Sequence, residues 1–256
     1  MARGTPAPAV DAPQFLQLVG HPLRWALLAE LSRSDRTVHE LVVAVGQPQS
    51  LVSYHLGKLR DRGLVTTRRS SADRRDAYYA VELASFRDRL AEVGAALHPG
   101  LRSAPAPPTT LEPTSVLFLC TGNSARSQMA EALLRERSAG SVEACSAGSH
   151  PKPLHPNAVR VMRVECGIDL AGQTSKHLDV FAGRRFDRVI SLCDRVREAC
   201  PDFPGTPVTS HWSLPDPAAS GSDDEATYPT FQQLASQLET RIEFLLADIA
   251  ARPTAA

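Results

Sequence analysis

The segment that most constrains the fold is Cys120-Thr-Gly-Asn-Ser-Ala-Arg126-Ser127, which lies between an apolar run and a helix-forming run. Val116–Leu119 has the composition of a buried strand, and Ser127–Glu136 has that of a helix. A strand that turns tightly into a helix presents backbone N–H groups and the positive end of the helix dipole to an anion. The sequence therefore predicts an α/β domain with an oxyanion site between this strand and this helix.

The residues of this segment, here called the anion loop (residues 120–127), each have an expected role. A cysteine at the strand end lies in the field of the helix dipole, which favours a thiolate and predicts that Cys120 is a nucleophile. Arg126 supplies a planar guanidinium for two oxygens of a tetrahedral anion. The predicted oxyanion ligands are Thr121, Gly122, Asn123, Ser124, Ala125, Arg126 and Ser127. The alternative is an ordinary buried cysteine, whereas a nucleotide P-loop is excluded because its Gly-x4-Gly-Lys-Ser/Thr pattern is absent.

Length, charge and cysteine usage limit the class of protein. The chain has 256 residues, which is enough for two domains with separate cores. Its net charge is zero, but the first 104 residues carry a small basic excess, which permits an anionic partner there. The sequence has neither an apolar run of ~20 residues nor an apolar N-terminal signal core, so we predict a cytoplasmic protein that does not enter a membrane. All five cysteines lie at or after position 120, which favours catalytic or redox thiols in a reducing compartment.

The predicted organisation has four segments. Residues 1–12 form an Ala/Pro-rich tail that we expect to be disordered. Residues 13–98 have the pattern of helices followed by a hairpin, and residues 99–113 form a stiff proline-rich linker. Residues 114–251 alternate short β-like runs with helical periods, which predicts a parallel-sheet α/β domain.

The N-terminal segment has the pattern of a winged helix-turn-helix domain. A short helix over Thr37–Val45 is followed by a turn and by a polar helix over Gln49–Arg62. A basic hairpin (residues 64–82) follows, and helix, turn, polar helix and basic hairpin fit binding in the major groove with arginines on the phosphates. The alternative is a small helical domain whose basic loop is only solvated. The predicted DNA-binding residues are Gln49, Ser50, Ser53, Tyr54, Lys58, Arg68, Arg69, Arg74 and Arg75.

Residues 14–98 also resemble the ArsR/SmtB winged-helix repressors, through Leu18–Leu28, Val52–Arg60 and Gly63–Val65. The resemblance implies a homodimer, formed through this domain, that binds a palindromic operator. Arsenic-sensing members carry paired cysteines on the helix that corresponds to Val38–Val45, where this chain has none. The usual inducer site is therefore not expected.

Residues 114–250 resemble the low-molecular-weight protein tyrosine phosphatases and their arsenate reductase relatives. Besides the anion loop, the matching segments are Glu131, Ser146–Gly148, His155–Pro156, Gly167–Asp169, Thr174–Ser175, Ser191–Cys193, His211–Trp212 and Asp216–Pro217. Asp216 matches the general acid of these proteins, a carboxyl group that protonates a leaving oxygen as the thiolate attacks. Without the resemblance, Asp216-Pro217 would be interpreted as an ordinary turn.

Two further cysteines separate the reductase branch from the phosphatase branch. A phosphatase needs one thiol, whereas reduction of As(V) to As(III) needs two electrons, which a dithiol supplies by forming a disulfide. Cys193 ends a predicted strand, as Cys120 does, and the ends of parallel strands meet at one edge of the sheet. Cys200 follows seven residues later on a polar segment. The pattern resembles the thiol relay of thioredoxin-coupled arsenate reductases, and the alternative is two unrelated structural thiols.

The resemblance implies an arsenate reductase joined to a regulator of the arsenic response. Cys120 attacks arsenate, Cys193 attacks Cys120 and releases arsenite, and Cys200 attacks Cys193. Thioredoxin or a low-molecular-weight thiol then reduces the disulfide, with no bound cofactor. Two alternatives are a tyrosine phosphatase joined to a regulator and a regulator whose second domain only senses oxyanions or redox state. The reductase is favoured by the cysteine pair and by the absence of the adjacent tyrosines that such phosphatases often carry after Asp-Pro. The intact Arg126 and Asp216 argue against a domain that is only a sensor.

The resemblance also bears on a cation site. Some relatives bind potassium under the anion loop through matching Asn, Glu, Ser and Asp residues. Asn123, Glu131 and Ser146 fit that set, but Lys176 stands where the Asp is expected. An ammonium at that position can replace the cation, so no metal is predicted. The remaining cysteines, Cys145 and Cys166, lie in apolar contexts and are expected to be core thiols.

Overall fold

A computed structural model describes residues 12–98, 101, 113–198, 203–221 and 223–251. The described residues form two compact units. The second unit contains the residues from 113 onward and, in addition, two short segments from the first half of the chain, Ser34–Arg36 and Arg68–Tyr78. The other described residues form the first unit. The predicted tail and linker lie outside the described residues, apart from Ala12, Leu101 and Pro113.

Within residues 12–98, the chain forms five helices and a three-stranded sheet whose order is β1-β3-β2. The elements are α1 (Ala12–Val19), α2 (Pro22–Leu31), β1 (Arg36–Thr37), α3 (Val38–Val45), α4 (Gln49–Arg60), β2 (Val65–Arg69), β3 (Ala77–Val81) and α5 (Leu83–Leu97). The predicted helix, turn, helix and hairpin are therefore confirmed, although α4 ends two residues earlier than expected.

The helix ends in this part follow from local sequence. Thr37 and Glu40 form a capping box, in which Glu40 N donates to Thr37 Oγ1 at 3.3 Å and Thr37 N donates to Glu40 Oε2 at 2.7 Å. Gly46, with a φ of 63°, ends α3 in the left-handed conformation that suits glycine. Pro22 begins α2 and separates it from α1, because proline lacks the N–H that a continuous helix would use.

One face of α4 is buried and the opposite face is exposed. Val52, Leu56 and Leu59 have no exposed surface and pack in the core of the first unit. Most of the intervening polar residues point to solvent, as the spacing predicts, but His55 is buried together with Val52 and Leu56.

The second unit is an α/β domain with four parallel strands in the order β5-β4-β6-β7. Its elements are β4 (Thr114–Cys120), α6 (Arg126–Arg137), β5 (Val142–Gly148), α7 (Pro156–Glu165), β6 (Arg188–Ser191), α8 (Asp194–Glu198), β7 (Val208–His211) and α9 (Asp224–Ala251), with 3₁₀ turns at Leu178–Phe181 and Pro217–Ala219. The predicted parallel-sheet class is confirmed.

The core of the second unit surrounds the central strand β4. Residues 116–119 are fully buried, because helices cover both faces of such a strand. Helix α9 buries Leu234, Leu238 and Ile242, which recur at the spacing of one helix face. It begins at Asp224 and continues through Pro229 at the loss of one backbone hydrogen bond.

The register of the sheet brings the functional segments to one edge. Cys120 pairs with Gly148 on β5, and Leu119 pairs with Ser191 on β6. A side chain at Gly148 would place its Cβ 2.7 Å from the carbonyl oxygen of Thr121 and 2.8 Å from the amide of Asn123. Glycine is therefore required for the close approach of the anion loop to β5.

No helix within the described part of the chain is both long enough and apolar enough to cross a lipid bilayer.

Candidate active site

The anion loop holds the sulfur of Cys120 in a set of short polar contacts. Cys120 is 2% exposed and ends β4, and α6 begins six residues later. Its Sγ lies 3.0 Å from Ser127 Oγ and accepts a hydrogen bond from the Asn123 backbone N–H at 3.1 Å. The loop thus surrounds the sulfur with a hydroxyl and a backbone donor at a helix N-terminus, which is the arrangement that stabilises a thiolate and an oxyanion.

Asn123 fixes the shape of the anion loop. Its φ of 45° is left-handed, a conformation that asparagine tolerates better than most residues. Its Nδ2 donates to Ser127 Oγ and to Ser146 Oγ, both at 2.8 Å. Its Oδ1 accepts from Gln128 Nε2 at 3.1 Å and from the backbone N–H of Lys176 at 2.7 Å. All the hydrogen-bonding capacity of the side-chain amide is used to hold the loop.

A buried carboxylate lies under this network. Ser146 donates a hydrogen bond to Glu131 Oε2, and Lys176 Nζ lies 3.4 Å from the same oxygen. Arg135 Nη2 contacts Glu131 Oε1 at 2.6 Å. The four residues Asn123, Glu131, Ser146 and Lys176 are therefore brought together, with an ammonium beside the carboxylate. Among the described residues, no group of three or more His, Cys, Asp or Glu is arranged to hold a metal ion.

Arg126 and Asp216, both predicted to be catalytic, lie side by side. The buried guanidinium of Arg126 donates through Nη1 to the carbonyl oxygen of Leu214 at 3.1 Å, and its Nη2 lies 3.4 Å from Asp216 Oδ2. The Asp216 side chain is 53% exposed. A guanidinium beside an exposed carboxyl group is the arrangement that anion binding and general acid catalysis require.

The second predicted thiol lies against the anion loop. Cys193 follows β6 and is 2% exposed. Its Sγ lies 3.2 Å from Thr121 Oγ1, the hydroxyl next to Cys120 in the chain. The expectation that the two strand ends bring these cysteines to one edge is confirmed. Cys200 lies outside the described residues, so its position relative to Cys193 stays a prediction.

Cys145 and Cys166 have a different environment. Both are partly buried and pack against the core of the second unit. Burial raises the pKa of both thiols, and the neighbouring Glu143 and Glu239 raise it further for Cys145 and Cys166 respectively. Raised pKa values disfavour the nucleophilic thiolate, in agreement with their expected role as core thiols.

One charged residue at the site was missed by sequence reasoning. Asp194, directly after Cys193, is fully buried and accepts hydrogen bonds from Arg68, Ser71, His211 and Ser213. Burial alone would raise the pKa of this carboxyl group, but the hydrogen bonds from these four residues outweigh it and hold the pKa well below its usual range. No local pattern marks the residue, since its partners lie far away in the sequence.

The predicted DNA-binding residues fall into two groups. On α4, the exposed polar residues are Gln49, Ser50, Ser53, Tyr54 and Lys58. On the basic hairpin, Arg69, Arg74 and Arg75 are exposed, and Arg75 forms an ion pair with Asp73 at 2.6 Å. Arg68 differs from them, because its guanidinium is bound to the Asp194 carboxylate within the second unit. The Arg68 side chain is 28% exposed.

Both parts of the chain match known families. Residues 21–76 match the model of the MarR family. This match supports the predicted winged helix-turn-helix domain, although the matching model is that of the MarR family and not of the ArsR/SmtB family. An arsenate reductase of Halalkalibacterium halodurans is 36% identical over 128 residues, which are 50% of this chain and 91% of that protein. A glutaredoxin arsenate reductase of Synechocystis sp. is 35% identical over 134 residues, which are 52% of this chain and 97% of that protein.

A solved structure described as an arsenate reductase in the phosphate binding state is 34% identical, covers 53% of this chain and 98% of its own, and has a TM-score of 0.45. Residues 115–254 match the model described as low molecular weight phosphotyrosine protein phosphatase, which includes the anion loop, Cys193 and Asp216. The chain therefore belongs to the low molecular weight phosphotyrosine protein phosphatase family.

Proposed function

We propose that this chain is an arsenate reductase that works through three cysteine thiols and that carries a DNA-binding regulator domain. The observation that carries the proposal is the 3.2 Å contact between Thr121 Oγ1 and Cys193 Sγ, which puts a second thiol beside the anion loop. A phosphatase resolves its phosphocysteine with water and has no use for this thiol. The relatives named arsenate reductase support the same conclusion.

In the first step, arsenate binds to the N–H groups of the anion loop and to Arg126. The Cys120 thiolate attacks arsenic, an S–As bond forms, and one arsenate oxygen leaves as water after protonation. Asp216 is the proposed proton donor, because its carboxylate lies 3.4 Å from Arg126 Nη2 and is open to solvent. Arsenic is still As(V) after this step.

In the second step, the thiolate of Cys193 attacks the sulfur of Cys120. A Cys120–Cys193 disulfide forms as the S–As bond breaks, and the electron pair of that bond stays on arsenic. The two thiols lose two electrons, As(V) becomes As(III), and arsenite leaves.

In the third step, Cys200 attacks Cys193, which frees Cys120 as a thiolate and leaves a Cys193–Cys200 disulfide. A thiol reductant regenerates the dithiol, and we propose thioredoxin for this role. A glutaredoxin system is the competing donor, in view of the name of the Synechocystis relative. This chemistry requires a reducing compartment, so we place the protein in the cytoplasm.

The N-terminal domain is proposed to bind operator DNA as a homodimer. Supporting features are the exposed polar residues on α4, the exposed arginines of the basic hairpin and the match to the MarR model. Phosphate contacts by these arginines would supply affinity, and Ser53 and Tyr54 would contribute sequence preference.

The test is arsenite production from arsenate by the purified full-length chain. The assay compares a thioredoxin system, a glutaredoxin system with glutathione, and no reductant, with p-nitrophenyl phosphate hydrolysis measured in parallel. Cys120→Ser should abolish both activities, since a hydroxyl is a far weaker nucleophile than a thiolate, and Cys145→Ser is the matched control that should retain both. Phosphate ester hydrolysis without arsenite from any thiol donor would instead identify a phosphatase.

A further inference from the structure

The side chain of Asp194 is held by two residues of the basic hairpin. Arg68 Nη2 donates to Asp194 Oδ1 at 2.9 Å and to Oδ2 at 2.7 Å. Ser71 donates to Oδ2 through its backbone N–H at 2.6 Å and through Oγ at 2.9 Å. All three residues belong to the second unit, although Arg68 lies 126 residues before Asp194 in the chain.

The same guanidinium also contacts the segment after β7. Arg68 Nε donates to the Ser213 carbonyl oxygen at 3.0 Å, and Ser213 Oγ donates to Asp194 Oδ1 at 2.7 Å. His211 Nε2 lies 3.1 Å from Asp194 Oδ1. Arg68 therefore links the start of α8 to the segment that leads to Asp216. The Asp194 carboxylate accepts hydrogen bonds from several residues at once.

Asp194 is the residue that follows Cys193 and begins α8. On the strand side of Cys193, the backbone is fixed by the hydrogen bond from Leu192 N to the Leu119 carbonyl oxygen at 2.7 Å. On the helix side, the backbone is held through the Asp194 side chain, whose carboxylate is hydrogen-bonded to Arg68 and Ser71. Because a trans peptide unit is rigid and spans only about 3.8 Å between Cα atoms, the position of Asp194 determines that of Cys193 to within a small range.

We infer that Arg68 and Ser71 are positioning residues for Cys193, which act through the carboxylate of Asp194. The inference rests on the proposed function, in which the Cys193 sulfur forms a bond with the Cys120 sulfur while the S–As bond breaks and its electron pair reduces As(V) to As(III). Nucleophilic attack on sulfur demands alignment of the attacking thiolate, and small displacements reduce its rate strongly. The segment Arg68–Tyr78, which belongs to the second unit, thus takes part in the reductase site.

Two observations separate this role from a general contribution to folding. The match to the phosphatase family begins at residue 115, so the hairpin lies outside the part of the chain that the family model covers. In addition, the contacts of Cys120 within the anion loop involve neither Arg68 nor Asp194. Loss of Arg68 should therefore slow the step that uses Cys193 and spare the step that uses Cys120 alone.

The experiment compares Arg68→Ala, Ser71→Ala and Arg68→Lys in the full-length chain. The matched control is Arg137→Ala, which removes a surface arginine that is ion-paired with Glu239 in the same unit. Single-turnover reactions with arsenate are quenched and analysed by mass spectrometry in a Cys200→Ser background, where the Cys120–Cys193 disulfide accumulates. We expect Arg68→Ala to slow its formation about tenfold or more while p-nitrophenyl phosphate hydrolysis stays within about twofold. Arg68→Lys should restore part of the rate, because an ammonium replaces the charge but not the two-oxygen contact.

A second measurement does not depend on arsenate. Cys193 is 2% exposed, so the rate at which iodoacetamide labels it reports its position. Arg68→Ala should raise this rate severalfold over wild type and Arg137→Ala. Absence of arsenite from wild type would refute the proposed function alone, since the labelling comparison still decides the positioning role. Unchanged labelling, or equal losses of disulfide formation and ester hydrolysis that Arg68→Lys does not reverse, would overturn the inference.

Discussion

The ammonium nitrogen of Lys176 lies 3.4 Å from Glu131 Oε2, and the same oxygen accepts a hydrogen bond from Ser146. Ser146 in turn accepts from Asn123, the residue with left-handed backbone in the anion loop. The cation at Lys176 therefore acts on the loop through two intermediate side chains. Removal of the charge would leave a buried carboxylate next to the groups that shape the anion site.

Replacement of Lys176 by alanine should lower both stability and arsenate turnover. We expect a loss of about 1–3 kcal/mol in the free energy of unfolding, because the buried Glu131 carboxylate loses the Lys176 ammonium and keeps the partly exposed Arg135 as a cationic partner. Potassium chloride, but not choline chloride, should restore part of the activity of the variant, whereas wild type should respond equally to the two salts. Arg135→Ala, on the exposed side of the same carboxylate, is the control. Equal salt responses of wild type and Lys176→Ala would show that the ammonium does not act in place of a cation.

The thiol relay predicts distinct products for two variants. Cys193→Ser should stop after formation of the Cys120–arsenic adduct, and Cys200→Ser should release one arsenite and stop as a Cys120–Cys193 disulfide. Wild type should show a Cys193–Cys200 disulfide by mass spectrometry after one turnover. Both variants should keep the phosphate ester hydrolysis of wild type, since water resolves a phosphocysteine.

Cys166→Ser is the control for the relay, because burial raises the pKa of that thiol and it lies outside the anion loop. It should reduce arsenate at the wild-type rate. Normal multiple turnover by both relay variants with thioredoxin would contradict the relay and favour an external-thiol reductase or a phosphatase.

The local features of the site were predictable from sequence. The apolar run before Cys120 and the helix-forming run after it define the strand, loop and helix, and the match of Thr37 with Glu40 defines a helix start. Such features depend on residues within one or two turns of each other. For the same reason, the spacing on α4 identified which residues are buried and which are exposed.

The surroundings of Asp194 were not predictable in this way. Its partners Arg68 and Ser71 lie 126 and 123 residues earlier, and Ser213 lies 19 residues later. No periodicity links such positions, and an arginine in a basic hairpin is reasonably assigned to phosphate binding. The contact of Arg68 depends on tertiary packing, which propensity and spacing do not encode.

The arginines of the basic hairpin should contribute unequally to DNA binding. Arg74→Ala combined with Arg75→Ala should weaken binding to all sequences and lower the salt dependence, with the slope falling by about one for each phosphate that is no longer bound. Arg68→Ala should have a smaller effect than Arg69→Ala, because the Arg68 guanidinium is already bound to Asp194. Fluorescence anisotropy with promoter DNA at several salt concentrations measures the affinity of each variant and its salt dependence. If Arg68→Ala lowers the salt dependence of DNA binding more than Arg69→Ala does, Arg68 leaves Asp194 when DNA binds.

Asp194→Asn should destabilise the protein in a pH-dependent manner. The hydrogen bonds from His211, Ser71, Ser213 and Arg68 outweigh burial and lower the pKa of the Asp194 carboxyl in the folded state. The unfolded chain, with an ordinary pKa of about 4, therefore binds the proton first as the pH falls. The stabilisation from the carboxylate is complete above about pH 5 and is lost as the pH falls below 4 towards the folded-state pKa.

Wild type should accordingly exceed Asp194→Asn by about 3 kcal/mol in the free energy of unfolding between pH 5 and 8, the scale expected for a broken buried ion pair. The difference should shrink between pH 4 and about pH 2, because only wild type has this group to protonate. Urea titrations of both proteins at pH 7, 5, 4 and 3 measure it, and the other carboxyl groups contribute equally to both curves. A difference that stays constant down to pH 3, or grows in acid, would show that the charge of Asp194 is not what stabilises its contact with Arg68.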